Sequence, residues 1–348
     1  MHSFPAPLRL RLDGAALVSN WQWLTEQSGA AACGAAVKAD GYGLGALEVT
    51  RRLMAAGCRD LFVSNWHEAQ QLESLLEPGI NLSVLHGVRE EDMDYAMTSR
   101  AMPVLCTSAQ IMRWKAAGGR ECHVMIDTGM SRLGLDWRSD VAALTEGLSI
   151  DTLFSHLASA DEASPLNAMQ LERFIAGKGA VSARRYSLAN SAGICLGRDY
   201  AFDLTRPGIA LYGGIPRDNA VDHIRQVVFP EAQVIQRRRV MAGDTIGYNA
   251  TLRASDDMEV AILNLGYADG YLRSFSGCGS VLVDGQALPV AGRVSMDLLA
   301  VDVTQRPDIA EEQWLGIDYA LPRSAAVSGL SQYELLTGLG ARFDRIWI

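Results

Sequence analysis

The sequence predicts an α/β chain in two parts: an N-terminal (β/α)8 barrel over residues 1–225 and a C-terminal, mainly antiparallel β domain over residues 226–348. Three observations point there. Short β-like runs alternate with helix-like segments through the first two thirds of the chain. There are eight such runs, the number that closes a barrel of parallel strands. Beyond about Asp222 further β-like runs follow one another with no long helix between them.

The eight runs fall at 33–38, 61–65, 82–87, 103–106, 123–128, 153–157, 186–190 and 203–211. Helical apolar spacing marks segments such as 46–56, ended by Gly57, and 108–117, ended by Gly118-Gly119. Glycine there accepts the left-handed backbone that closes a last helical turn. In the second part the runs lie at 231–238, 259–266, 280–283, 287–291 and 298–303. Asp284-Gly285, between two of them, predicts a tight hairpin.

A chain of 348 residues is too long for one ordinary core but suits a large barrel plus a second domain. Hydrophobic residues at 49% and charged residues at 20% give the balance of a soluble globular protein. The net charge of -9 leaves no broad basic surface, so neither nucleic acid nor anionic membrane is an expected partner. No apolar run approaches the roughly 18 residues of a membrane span. The opening residues 1–7 lack a cationic stretch followed by an apolar block, so no secretory signal is expected. Cysteines at 33, 58, 106, 122, 195 and 278 form no C-x-x-C pair, and reduced thiols in the cytoplasm are expected.

In such a barrel the chemistry sits at the C-terminal ends of the strands. Those ends carry Lys38, Asn65, Arg132, His156, Asn190-Ser191 and Arg206-Pro-Gly208-Ile209. The set fits an anionic, phosphate-bearing cofactor, with phosphate on the small residues near the last two strands. Lys38 leaves an apolar run of small residues, Cys33-Gly-Ala-Ala-Val37. Desolvation there lowers an amine's pKa and exposes a neutral nucleophile. A lysine merely laying its stem along a strand end reads the same way. The glycines of Gly41-Tyr-Gly-Leu-Gly45 lack the spacing of a dinucleotide turn, and no P-loop, G-x-S-x-G or H-E-x-x-H occurs. The six histidines are dispersed, so no metal centre is expected. His156 alone reads as structural, but its strand-end position favours a role at the site. Tyr248 and Tyr267 are glycine-flanked turn tyrosines that read equally as packing plugs or as functional groups.

Nine segments, in order, resemble the alanine racemase family. They are Ala36-Val-Lys38-Ala-Asp-Gly-Tyr42-Gly, Asp127-Thr-Gly-Met-Ser-Arg132-Leu-Gly, Ser155-His156-Leu, Ala189-Asn-Ser191 and Arg206-Pro-Gly-Ile-Ala-Leu-Tyr212-Gly, then Gly247-Tyr248-Asn-Ala-Thr, Gly266-Tyr-Ala-Asp-Gly270, Gly292-Arg-Val-Ser-Met296-Asp297 and Gln332-Tyr333-Glu334. The resemblance implies an enzyme that interconverts L- and D-alanine with pyridoxal 5'-phosphate (PLP), supplying D-alanine for the cell wall. It implies that Lys38 carries the cofactor, while Tyr42, Asn190, Ser191, Tyr333 and the N–H groups of Gly208 and Ile209 bind its phosphate. Arg206 would face the pyridine nitrogen and His156 the ring. Arg132 would meet the cofactor phenol and the substrate carboxylate. Lys38 and Tyr248 would be the two bases, with Tyr248 and the substrate-binding Met296 lent by the other subunit of a homodimer. An arginine at the ring nitrogen, effectively always protonated, favours an unprotonated ring and a weaker electron sink.

The chain departs from the family pattern in three places. Met125 stands where many members have a carbamylated lysine that orients the arginine, so Arg132 needs other support, an ordered anion being one means. Ser187 replaces a histidine that links the ring arginine to the catalytic tyrosine. Ser295-Met296 replaces Cys-Met before Asp297. Racemisation of serine or a broader amino-acid set fits the same scaffold. Decarboxylation is disfavoured by the tyrosine base, and a non-catalytic PLP-binding protein would need neither the β domain nor Tyr248.

Overall fold

The computed structural model describes residues 5–348, so Met1–Phe4, on which the expected lack of a leader partly rests, lie outside the described residues. The chain forms two units, one of Ala16–Arg225 and one in which Gln226–Ile348 are joined by the N-terminal segment up to Ala15. Among the described residues no helix is long and apolar enough to cross a membrane.

In the first unit, parallel strands Ala35–Ala36, Asp60–Val63, Asn81–Val84, Met102–Leu105, Cys122–Asp127, Ile150–Phe154 and Arg185–Ser187 lie side by side in chain order. Leu204–Thr205 closes the ring by pairing with Ala32–Cys33 on one side, while the Asp203 and Arg206 N–H groups donate to Tyr186 and Ala189 on the other. All eight expected runs are therefore barrel strands. Their continuous burial, complete along Asp60–Val63, Met102–Leu105 and Ile150–Phe154, is that of strands covered on both faces. Several strands are shorter than the expected runs, and the first and the last are broken. Residues 203–211 yield a two-residue strand and then a 3-10 helix, Ile209–Tyr212, because Pro207 and Gly208 interrupt the ladder. The first strand breaks at Gly34, where a Cβ would lie 2.6 Å from the Asp60 carbonyl oxygen and from the Phe62 ring.

The second unit is built on an eight-stranded sheet ordered Met258–Leu263, Leu299–Asp302, Gln286–Ala291, Ser280–Val283, Trp314–Ile317, Val228–Val240, Leu8–Leu12 and Asp344–Trp347. The long strand Val228–Val240 also pairs with Met258–Leu263, so it joins that end strand to Trp314–Ile317 and closes six of the eight strands into a ring. The hairpin expected at Asp284-Gly285 is present, with both residues at positive φ (50° and 80°) and Val283 paired to Gln286. The expected boundaries need one correction: the barrel does not begin at residue 1. Leu8–Leu12 pairs antiparallel with Val228–Val240 and parallel with Asp344–Trp347. Its L-R-L-R-L alternation buries three leucines completely and turns Arg9 and Arg11 to Glu231. Each buried leucine contributes about 1.5–3 kcal/mol, enough to fix the strand in this sheet.

Candidate active site

The first strand delivers Lys38 into an unusual turn. Ala39, Asp40, Gly41 and Tyr42 all have positive φ (52°, 53°, 62° and 56°), a left-handed helical turn over Lys38–Tyr42. Left-handed backbone costs about 1–2 kcal/mol per non-glycine residue, so neighbours must hold it. The Glu68 carboxylate accepts the N–H groups of Ala39 (2.9 Å) and Ser64 (2.7 Å), and Asp40 accepts that of Ala46 (2.8 Å). The Tyr42 ring stacks on buried Tyr212 at 4.6 Å, and the Tyr212 hydroxyl donates to the Ala36 carbonyl at 2.8 Å. Lys38 is half-buried. Burial and then the charge of Arg132 lower its pKa, against a smaller opposing pull from Glu68. The amine is thus easier to deprotonate than an ordinary lysine.

Arg206 is buried beneath this mouth, and burial pushes its pKa down to about 9. Its guanidinium lies 4.9 Å over the Phe154 ring and donates to the Ser155 carbonyl and the Ser187 hydroxyl, both at 2.5 Å. It also lies 3.4 Å from His156 Nδ1. With an arginine donating there, Nδ1 is the acceptor and the imidazole is neutral with its proton on Nε2. Burial, then the charges of Arg206, Arg132 and Lys38, lower the His156 pKa to about 3. Four expected residues, Lys38, Arg132, His156 and Arg206, therefore share one electropositive mouth. Ser187 passes its own proton to the Leu204 carbonyl, so the path that a histidine would extend ends on backbone.

A second cluster adjoins the mouth. Ser191 Oγ accepts the N–H groups of Gly208 (2.8 Å) and Ala210 (3.4 Å), which leaves its own proton to donate. Tyr42 Oη lies against Gly208 so closely that a Cβ there would sit 2.1 Å from it. Asn190 uses its side-chain oxygen to cap the helix Ser191–Leu196 through Gly193 N–H (2.8 Å), which leaves its amide donors for another partner. Ile209 opens the next 3-10 helix, where the first N–H has no acceptor inside its own helix.

Arg132 lies exposed on the loop after Cys122–Asp127, the strand in which Met125 is buried. Burial alone would raise the Asp127 pKa, but the N–H groups of Gly129, Arg132, Ser131 and Met130 hold it below the usual carboxylate range. Two of these contacts measure 2.8 Å and that to Arg132 2.9 Å. The sequence reading missed what backs this loop, Gln170 and Arg173, because no motif marks them.

A serine–histidine–aspartate series also exists in the barrel. Ser83 Oγ is 3.1 Å from His123 Nε2, and His123 Nδ1 is 3.5 Å from Asp151. All three are buried near the strand starts, and Asp151 is spent on Arg184 and Arg185. Burial and those arginines lower the His123 pKa to about 3, so this cluster is a buried staple. Among the described residues no group of His, Cys, Asp and Glu is arranged to hold a metal ion.

The remaining expected residues belong to the second unit. Tyr248 is two-thirds exposed on the turn Tyr248–Ala250, after Gly247 at φ 73°. It lines a cavity of about 660 Å³ with Arg238, Arg293, Ser295 and Leu298. Met296 is exposed, and its carbonyl accepts the Ala268 N–H (3.0 Å) while that of Ser295 accepts the Tyr267 N–H (3.0 Å). Gly266 permits this approach, since a Cβ would meet Met296 O at 2.3 Å. Arg342 braces the pair of segments through Asp269 (2.6 Å) and Asp297 (2.7 Å). Tyr333 is exposed on the helix Gln332–Thr337.

A barrel whose strand mouths gather a desolvated lysine, two arginines, a neutral imidazole and a ring of small donors defines an enzyme built around an anionic ligand and a nucleophilic amine. Residues 12–216 match the family model "Alanine racemase, N-terminal domain" and residues 227–347 match "Alanine racemase, C-terminal domain". An alanine racemase of Acidiphilium cryptum is 39% identical over 97% of this chain and 98% of its own. The biosynthetic alanine racemase of Agrobacterium fabrum is 39% identical over 99% and 94%. The structure of the Bartonella henselae alanine racemase, with covalently bound pyridoxal phosphate, superposes with a TM-score of 0.92 at 33% identity, covering 99% of this chain and all of that one. The chain belongs to the alanine racemase family, whose members are isomerases.

Proposed function

We propose that this chain interconverts L- and D-alanine with PLP, as a cytoplasmic homodimer that supplies D-alanine for the cell wall. The observation that carries the reading is the desolvated Lys38 amine facing the Arg132, His156 and Arg206 cluster. The second cluster fits a phosphate: its donors are hydroxyls and backbone N–H groups, and Gly208 keeps open the space a Cβ would fill.

Lys38 would hold the cofactor aldehyde, and Tyr42, Asn190, Ser191, Gly208, Ile209 and Tyr333 would hold its phosphate. When bound, the cofactor supplies an electron sink for the Cα–H bond. Arg206 would face the ring nitrogen as a cation, which would limit that sink and disfavour transamination. His156 would lie against the ring as a neutral imidazole. Arg132 binds the substrate carboxylate, with Met296 of a second copy beside it. Racemisation needs proton transfer on both faces of Cα. Lys38, its amine free once the substrate amine takes its place on the cofactor, would move the proton on one face, and Tyr248 of the second copy would serve the other.

A chiral assay of L-alanine with and without added PLP tests this reading. The expected result is conversion to a racemic mixture that depends on PLP, abolished by Lys38→Ala, with borohydride fixing the cofactor on Lys38. Cofactor bound at Lys38 with alanine unchanged would favour a binding protein, and faster turnover of serine would favour a broader racemase.

A further inference from the structure

Among the described residues no hydrogen bond or ion pair holds the Arg132 guanidinium, and Met125 cannot supply one. The loop itself is held instead. On one side is the Asp127 carboxylate, and on the other is the helix Pro165–Ala180, started by a Ser164 cap with Pro165 in its first turn. Two residues of that helix, three apart and so on one face, reach the loop. Gln170 is completely buried. Its amide donates to Thr128 Oγ1 (3.2 Å) and to the His156 carbonyl (2.9 Å), and its oxygen accepts the Ala158 N–H (2.9 Å). Arg173 donates to the Thr128 carbonyl (2.9 Å) while its guanidinium lies 4.6 Å over the Trp137 ring. Gly129 makes room for it: a Cβ there would be 2.9 Å from Arg173 Nη1.

One side chain thus joins the loop of Arg132 to the segment of His156, and its neighbour one turn on holds the same residue, Thr128, by its backbone carbonyl. We propose that Gln170 and Arg173 are positioning residues that set Arg132 against Lys38 and His156, taking the place of direct support for the guanidinium. The link to substrate rests on the reading of Arg132 as the carboxylate-binding group; the link to the loop does not.

The test uses the full chain with PLP and the variants Arg173→Met, Arg173→Lys and Gln170→Glu. The glutamate keeps the acceptor for Ala158 N–H and loses both donors. Hydrogen exchange followed by mass spectrometry should show amides 129–134 opening about tenfold faster in Arg173→Met and Gln170→Glu, with those of strand Cys122–Asp127 unchanged. The KM for alanine should rise about tenfold with kcat altered less than about threefold, and Arg173→Lys should lie between. Unchanged exchange in the loop overturns the clamp, as does equal acceleration throughout the barrel. Faster loop exchange with unchanged KM overturns its link to Arg132. If the parent chain does not turn over alanine, the functional reading fails while the exchange data still decide the clamp. Should Arg173→Met not fold, Arg173→Lys and Gln170→Glu carry both readouts.

Discussion

Gly208→Ala is the sharpest single perturbation of the phosphate cradle. The added methyl would lie 2.1 Å from Tyr42 Oη, 2.9 Å from Tyr42 Cζ and 3.5 Å from Ala36 Cβ. The first distance is more than about 1 Å inside van der Waals contact. Tyr42 has no simple retreat, because its ring stacks on Tyr212 and its backbone is held in the left-handed turn. Overpacking of this kind costs about 1–3 kcal/mol. In a unit of this size that lowers the melting temperature by about 2–4 °C per kcal/mol. Tyr42→Phe deletes the offending oxygen and leaves 2.9 Å as the tightest approach. The double variant should therefore recover part of the loss, with a coupling of about 0.5–3 kcal/mol. Thermal unfolding without cofactor reads the packing, and a visible-absorption titration with PLP reads the cradle, which should weaken in all three variants. Additive losses in the unfolding cycle would refute the collision, and undiminished PLP affinity in Gly208→Ala would refute the placement of the phosphate.

Other outcomes can be set beside this one. Tyr248→Phe should slow solvent-deuterium exchange on one face of Cα within single turnovers; equal loss from both alanine enantiomers would count against a two-base assignment. His123 and His156 are both held near pKa 3, so between about pH 6.5 and 3 the unfolded chain binds protons that the folded chain refuses. Stability therefore falls on acidification through that window, and each histidine adds up to about 1.4 kcal/mol per pH unit. His123→Gln should flatten the urea-unfolding profile by about one proton, and an unchanged slope would contradict its buried neutral state. Ser187→Ala removes an acceptor from the buried Arg206 and should cost about 1–3 kcal/mol in urea unfolding, whereas an unaltered midpoint would show that Ser187 contributes little.

The barrel could be read in the sequence because strands buried on both faces leave unbroken apolar runs, as at Asp60–Val63 and Ile150–Phe154. The last run extends too far in the sequence because Arg206-Pro-Gly208 has apolar neighbours, while in the fold Arg206 and Pro207 make only single pairings and no continuous ladder. Leu8–Leu12 carries a clear period of two, but its partners lie at the other end of the chain, so nothing local assigns it to a sheet. At the site, Lys38 stood out because a charge after five small apolar residues has a physical meaning without any partner. Gln170 and Arg173 have none until the helix face and the loop are brought together. The cradle is intermediate: Gly208 was visible as part of a motif, but the need for glycine arises from Tyr42, more than a hundred residues earlier.

The placement of Leu8–Leu12 bears on how the protein is made. This segment is synthesised well before either of its neighbours in the sheet, Val228–Val240 and Asp344–Trp347, which emerge only after the barrel lying between them in the chain. Its three leucines must stay unsheltered, or be shielded by a chaperone, while the intervening barrel emerges and folds. Nascent chains halted before Val228 should therefore expose this segment to proteases, and emergence of Val228–Val240 and then Asp344–Trp347 should protect it.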